Sequence, residues 1–301
     1  MRISERYKYS VSNNRIEKAK DQNIQALNQL SSQKRINAIH DDPAGVSRMI
    51  KHKDRISEIQ SYLSNISFSK GFTAITENAI ASVQEHLIRA KELSISMAND
   101  SNGPDNRDVT AKEISTLVDQ LVELGNTKYN SKYVFSGLRS DAPAFDGDGL
   151  YLGDDGDIFI QTDLSQYKKI NISGRDLFDG VQSPSGVRQA GNMVQCLINL
   201  KTGLESNDKG VINTAMSELE YHIERASSLQ ATVGAVSSSL FEIEKKLDVM
   251  LDHEKGQLST TEDLDFYQGT SDFKRTEAAL QSTLSASNKL LQPSLLNFLD
   301  R

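Results

Sequence analysis

The chain has 301 residues with no tryptophan, one cysteine, 6% aromatic residues, 25% charged residues and a formal net charge of −7. That length admits about two domains, but so few aromatic and so many charged side chains argue against a compact enzyme. They suit long helices that each bury one stripe. Cys196 is the only cysteine, so an internal disulfide is excluded, and no stretch approaches the roughly 20 apolar residues of a membrane helix.

The first residues, MRISERYKYSVSNNR, lack the apolar segment of a cleavable secretory signal. The protein is therefore expected in the cytosol, or outside the cell by a route that uses no such signal. Residues 1–35 carry eight Lys/Arg against three Asp/Glu. These charges are spread through a helical pattern without interleaved aromatics, which points to a solvated or partner-facing helix and not to nucleic acid.

The stretch ALNQLSSQKRINAIHDDPAGVSRMI (26–50) reads as two helices meeting at a corner. Its centre gathers His40, Asp41 and Asp42, with His52 a little further on, and so invites a metal or catalytic reading. No helical ligand spacing such as HExxH supports it. The corner is instead expected to be structural. Asp42 is the N-cap, Pro43 the first helical residue, and Asp41 favours the helix dipole; Gly45 completes the turn into the helix.

From Ile56 a stripe at steps of three and four runs through Ile59, Leu63, Ile66, Phe72, Ile75, Ala79, Val83, Leu87, Ala90, Leu93 and Met97, predicting one long helix. NDSNGPDN (99–106) breaks it, and Ile114, Leu117, Leu121 and Leu124 mark the next. The rhythm then changes. KYVF (132–135), GLYLGDDGDIFIQT with Asp155-Gly156 as a hairpin tip, and YKKINISG read as strands. Residues 141–180 hold nine Asp and six of the 18 Gly. Asp146, Asp148, Asp154, Asp155 and Asp157 lack the EF-hand register and read as turn chemistry.

Helical spacing returns near Gly186; Cys196, in MVQCLINL, reads as a small core residue. Leu229, Val233, Val236, Leu240, Ile243, Leu247 and Met250 then alternate four and three, a coiled-coil seam. STTE (259–262) reads as a capping box opening a last helix. That helix carries Phe273, Leu280, Leu284, Ser287, Leu291, Leu295 and Phe298. His86, His222 and His253 are isolated on helices and read as surface or packing residues. No phosphate-cradling loop or nucleophile signature appears, so neither an enzyme nor a cofactor is expected.

The expected fold is mainly α: an elongated antiparallel helical rod with terminal coiled-coil helices and a small inserted β-rich domain. Its parts are the terminal helices, 1–45 and 255–301; a helical rod domain, 46–137 and 187–254; and a β-rich outer domain, 138–186, dispensable to the rod. Stripes so narrow are expected to need other subunits for burial, leaving 1–45 and 255–301 mobile in a free monomer.

LNQLSSQKRINAIHDDPAG (27–45) resembles the N-terminal signature of the bacterial flagellin family, with Gln33 and Ile39–His40 departing from its commonest form. LGNTKYNSKYVFSGLRSDAPAF (124–145) and the terminal SLLNFL (294–299) are similar to the family's hook-associated branch, at the junction of hook and filament, more than to filament flagellins. The resemblance covers residues 1–145 and about 187–301. It implies a structural subunit of the flagellum, an adapter ring joining hook to filament; a flagellin filament subunit is the alternative. Implied partners are copies of itself, another hook-associated protein on the hook side, flagellin on the filament side, and a cytosolic export chaperone. Localisation would be the extracellular flagellum, reached by type III export after a transient cytoplasmic stage. Ile24, Leu27 and Leu30, with Leu280, Leu284, Leu291, Leu295 and Phe298, are the expected assembly and chaperone interface. Signalling rods of chemotaxis receptors share the long helices but normally carry a transmembrane helix.

Overall fold

A computed structural model describes residues 2–97, 103–179 and 191–291. In chain order the elements are α1 (Arg2–Ser32), α2 (Pro43–Met97), α3 (Pro104–Gly125), β1 (Lys128–Tyr129), β2 (Lys132–Tyr133), β3 (Phe159–Asp163), β4 (Gln166–Lys169), α4 (Gly174–Phe178), α5 (Met193–Ser206), α6 (Lys209–Glu262) and α7 (Phe266–Leu291). The class is mainly α, as expected. The chain divides into a terminal unit, Met1–Glu58 with Val249–Arg301, and a central unit, Ile59–Asp248.

The central unit is built on the two long stripes. In α2, Ile59, Ile66, Phe72, Ala79, Val83, Leu87, Ala90 and Leu93 are buried, so the three–four spacing is the core face. In α6, Val233, Leu240 and Leu247, seven apart, are buried, while Leu229, Val236, Ile243 and Met250 between them are half-buried. Ile114, Leu117 and Leu121 of α3 and Leu197 and Leu200 of α5 complete the helical part. Between α5 and α6, Asn207 turns the chain in the left-handed region (φ 55°), and Asp208 caps α6 by accepting from the N–H of Gly210 at 2.8 Å.

The β segment departs from expectation in two ways. The Asp155-Gly156 hairpin does not form; β3 and β4 pair antiparallel around Leu164-Ser165, with an irregularity between Gln161 and Asp163. The physical reason lies in Asp154, whose Oδ1 accepts from the N–H groups of Leu138 (2.7 Å) and Gly156 (3.0 Å) and so ties this stretch into a loop. The other hairpin, β1–β2, turns at Asn130 and Ser131, both at positive φ (45° and 66°), the geometry of a two-residue type I′ turn.

Nor, among the described residues, does the β segment keep a core of its own. Phe135, Phe145, Ile170, Ile172, Leu177 and Phe178 lie in one continuous cluster with the apolar faces of α2, α3, α5 and α6. Phe145 and Phe178 meet at 4.3 Å between centroids with their rings tilted by 45°, and Tyr151 tilts onto Phe145 at 5.3 Å. On the α2 side, Tyr129 packs against Phe68 and Phe72. Its hydroxyl occupies the space beside Gly71, where a Cβ would approach within 2.1 Å. The sequence pattern marks these side chains as buried but does not say against what.

Two consequences are measurable. Phe178→Ala removes a fully buried ring from the shared core and should cost about 3–5 kcal/mol in guanidinium unfolding of the central unit, where an autonomous outer domain would leave the helical transition unchanged. His222 in α6 is fully buried, with no hydrogen-bond partner on either ring nitrogen among the described residues. Burial pushes its pKa down to about 4, against the Gly191 backbone and the Asp179 carboxylate, which act the other way. The unfolded chain therefore binds the proton first as pH falls below about 6.5. Stability is unaffected above that pH, declines below it, and has lost about 3 kcal/mol by the time His222 titrates in the fold. Unfolding at pH 7, 5.5 and 4 should show this slope in the wild type and lose it in His222→Leu.

Candidate assembly interface

The terminal unit consists of α1, the corner after it, the start of α2, the end of α6, and α7. At the corner α1 ends at Ser32, and Gln33 reverses the chain with φ 57°. The next residues then run antiparallel to the α6–α7 connection. Arg35 N–H donates to the Glu262 carbonyl at 2.7 Å, Leu264 N–H donates to the Gln33 carbonyl at 3.0 Å, and Lys34 bridges Asp263. Lys34 Nζ and Lys53 Nζ, the latter at 3.1 Å, both donate to Glu262 Oε1. Glu262 is buried. Burial raises its pKa, but the hydrogen bonds and charges of the two lysines outweigh that, and the net shift is downward.

This overturns the capping-box reading of STTE. α6 runs through to Glu262, Ser259 Oγ donates to Asp263, and Glu262 turns to the lysines. The helix start lies further on, where Asp265 accepts from the N–H groups of Tyr267 (2.9 Å) and Gln268 (3.1 Å). A carboxylate three residues after a Ser is a real cap signature, yet the helix continues through it because Glu262 has stronger partners in space.

Asp42 Oδ1 accepts from Gly45 N–H at 2.8 Å, while its Oδ2 takes both Arg35 Nη atoms at 3.2 Å. The Gly45 amide, followed by the Arg35 contact, holds the Asp42 carboxyl below its ordinary value. Asp41 Oδ2 accepts from the N–H groups of Ala38 and Asn37, which lower its pKa in the same way. Pro43 opens α2. Gly45 sits so close that a Cβ would come within 2.4 Å of Asp42 Oδ2 and 2.6 Å of Ile36 Cδ1. His40 projects into solvent, and His52 Nδ1 meets Glu254 Oε2 at 2.6 Å. Of the donors that suggested a metal, Asp41 and Asp42 are thus occupied by backbone amides and Arg35, His52 pairs with Glu254, and His40 faces solvent. Among the described residues no three His, Cys, Asp or Glu gather as ligands.

α1 and α7 pack antiparallel. Ser12 Oγ donates to Ser287 Oγ at 2.7 Å, and 11 residues inward on each helix Asn23 Nδ2 donates to Thr276 Oγ1 at 3.4 Å. The equal offsets fix the register. Covered positions on α1 are Ser12, Ile16, Ala19, Asn23, Ala26 and Leu30; those on α7 are Gly269, Phe273, Thr276, Leu280, Thr283 and Ser287. Both series step by four and three, the heptad of a coiled coil. In this register Leu30 faces Gly269, Ala26 faces Phe273 and Ala19 faces Leu280, so large residues alternate with small ones.

The expected interface residues are therefore divided. Leu30 and Leu280 are half-buried at seam positions. Ile24, Leu27 and Leu284 point away from the seam, 43%, 47% and 42% exposed. Leu291 ends α7, and Leu295 and Phe298 lie outside the described residues. Of the expected α1 residues Ile24, Leu27 and Leu30, only Leu30 meets α7, because most other seam positions on α1 (Ser12, Ala19, Asn23, Ala26) are small or polar and an apolar count passes over them. Phe266 and Tyr267, 59% and 86% exposed at the start of α7, add to the uncovered apolar surface.

Comparison with known proteins follows the same lines. Residues 3–140 match the bacterial flagellin N-terminal helical region. The chain is 24% identical to flagellar hook-associated protein 3 of Salmonella typhimurium over 94% of its own length and 95% of that protein. It is 25% identical to flagellin 1 of Proteus mirabilis, but over 63% of this chain and 51% of that one. The crystal structure of the flagellar junction protein FlgL from Legionella pneumophila superposes with a TM-score of 0.59 at 17% identity, covering 71% of this chain and 99% of that one. The flagellin N-terminal helical region thus accounts for a little under half of the chain. The end-to-end similarity is to flagellar hook-associated protein 3, and the similarity to flagellins is partial.

The corner geometry yields a paired test. Asp42→Ala should lower the thermal midpoint by removing the cap. Gly45→Ala should cost about 1–3 kcal/mol through overpacking against Asp42 and Ile36. His40→Ala should change neither stability nor assembly. Loss of assembly in a folded His40→Ala protein would point to chemistry at the corner.

Proposed function

We propose that the chain is the structural adapter subunit that joins hook to filament in the bacterial flagellum. It forms a ring with copies of itself, contacts another hook-associated protein on one side and receives flagellin on the other. It carries no catalysis. The observation that carries this reading is the end-to-end match to hook-associated protein 3, set against about half of flagellin 1. The terminal unit supports it independently: Ile24, Leu27, Leu284, Phe266 and Tyr267 are apolar and exposed, and they lie off the α1–α7 seam, as suits a surface that neighbouring subunits cover.

Before assembly the same chain passes through the cytosol and leaves by type III export, and the C-terminal face of Leu280, Leu284, Leu291, Leu295 and Phe298 lies on an export chaperone. A helix in a groove and a helix in a coiled coil use the same anchor spacing, so one face serves both partners in turn.

The test uses the full chain. Burial of an exposed Ile or Leu stabilises a contact by roughly 1.5–3 kcal/mol, so Ile24→Asp with Leu27→Asp should leave the purified monomer folded while cells making it carry hooks without attached filaments. Purified wild-type protein alone should not grow filaments. Growth of long filaments from that protein would replace the adapter reading with the filament-subunit one.

A further inference from the structure

Two exposed helix surfaces of the central unit have complementary form. On α2, Ile88 and Ile95 are exposed. With Lys91 and Glu92 they occupy positions i, i+3, i+4 and i+7, the four corners of a hole on a helix surface. Lys91 is turned to Glu220 of α6 at 2.9 Å, and Glu92 lies 3.5 Å from Arg89 with most of its side chain in solvent. On α6, Phe241 is exposed between the buried Leu240 and Leu247, and Lys245 stands exposed one turn further on. The two surfaces do not meet within one chain. The Lys91–Glu220 and Lys70–Glu244 contacts follow opposite orders along α2 and α6, so these helices run antiparallel. Lys70 Nζ lies 5.7 Å from the centre of the Phe241 ring and so marks its level on α2. Ile88 is 18 residues beyond Lys70, about 27 Å along the helix.

We propose that Phe241 of one copy of the chain packs into the hole formed by Ile88, Lys91, Glu92 and Ile95 of the next copy, with Lys245 meeting Glu92. This contact deepens the adapter reading and rests on it for the presence of neighbouring copies. Shape and sign select the occupant. An exposed ring with a lysine one turn away faces two exposed isoleucines with a glutamate between them, so apolar meets apolar and base meets acid. Neither surface suits its own copy, because pairing like with like brings Lys245 to Lys245 or Glu92 to Glu92. The contact is therefore heterologous, one surface against a different one, and repetition of such contacts builds rings and helical assemblies. Phe241 is the anchor, as a large aromatic side chain seated in a pocket commonly is. The Lys245–Glu92 pair sets partner and alignment. Because the hole lies beyond the level of Phe241, neighbouring copies are offset by about 27 Å along α2.

The test is made on flagella isolated from cells producing variants of the full chain. Cys196 is fully buried, so cysteines placed at the exposed positions 92 and 245 are the ones that react. Flagella carrying Glu92→Cys and Lys245→Cys on one chain, treated with a short bis-maleimide, should give a ladder of covalent multimers of this protein. Either cysteine alone should give only monomer. Phe241→Ser in the double-cysteine chain should cut the ladder at least fivefold without moving the thermal midpoint. In the otherwise wild-type chain, Glu92→Lys or Lys245→Glu should lower the number of hooks with attached filaments at least fivefold, and the two together should restore it. The inference is overturned by attached filaments without a ladder, by dimers from a single cysteine, by a cross-link to a different protein, or by charge reversals that leave attachment unchanged or fail to restore it together. The adapter reading survives each of these results. A ladder from long filaments built of this protein would leave the contact standing and replace the adapter reading, whereas absence of the protein from isolated flagella would overturn both.

Discussion

A single cross-connection sets the terms for the terminal unit: the antiparallel pairing of Gln33–Arg35 with Glu262–Leu264, between residues more than 200 positions apart in the chain. Closing a loop of that length has a large entropic cost, which grows only slowly with further length. Hydrophobic contact alone offers little to offset it here, because both segments are polar. The offset comes from directional bonds. Two backbone hydrogen bonds, two lysines on one carboxylate and the Arg35 guanidinium on the Thr261 carbonyl (2.8 Å) all converge within a few residues. A buried ion pair rarely adds much net stability, since desolvation consumes most of the Coulombic gain. What it supplies is register, because only one alignment of the two segments satisfies Glu262.

The two units solve burial differently. The central unit buries aromatic rings and branched aliphatics, with Phe135, Phe145, Phe178, Ile80, Leu87 and Leu197 fully enclosed. The α1–α7 seam buries serine, alanine and glycine and leaves Ile24, Leu27 and Leu284 outside. A coiled coil with leucine at every seam position would be self-sufficient and would have no use for neighbours. With only small residues fully buried in the seam, its larger members Ile16, Leu30, Phe273 and Leu280 half-covered, and further apolar residues on the outer faces, much burial is left to whatever packs against the outside. Polar seam pairs such as Ser12–Ser287 and Asn23–Thr276 also favour one register over its slipped alternatives, at the expense of stability.

Legibility in the sequence followed the strength of periodicity. The α2 stripe was readable because its positions recur at three or four residues over more than ten turns, the α6 stripe because it alternates four and three over about six turns, and Asp42-Pro43 marked a helix start because cap and first-turn chemistry are local. The α1–α7 seam was not readable from apolar counting: Ser12, Asn23, Thr276 and Ser287 carry its spacing, and only a search for heptads of small residues would have found it. The Asp155-Gly156 signal failed because Asp154 captures the nearby amides, while Asn130-Ser131, a weaker sequence signal, makes the tighter turn. The supposed independence of the β segment failed for a different reason. Alternation in YKKINISG shows that Ile170 and Ile172 are buried, but burial against another strand and burial against α3 or α5 leave the same pattern.

The polar density of the corner, which first suggests chemistry, follows from counting helix ends. Each helix terminus leaves four backbone groups without an internal partner, and α1, α2, α6 and α7 all begin or end within this small region. Asp42 satisfies the Gly45 amide, Asp265 those of Tyr267 and Gln268, and Asp41 those of Asn37 and Ala38, while Arg35 reaches the Thr261 carbonyl and Gln29 Nε2 the Arg35 carbonyl. Acidic residues collect where amides are exposed and basic ones where carbonyls are, so a joint of four helix ends resembles an active site in composition. At this joint the carboxylates are lowered. Backbone amides hold Asp41 and Asp42 ionised, and Glu262 is held ionised by lysines. A general acid would need its proton retained near neutrality, and these contacts push the other way. Carboxylates fixed in that state act as acceptors, and acceptors are what a junction of helix ends requires.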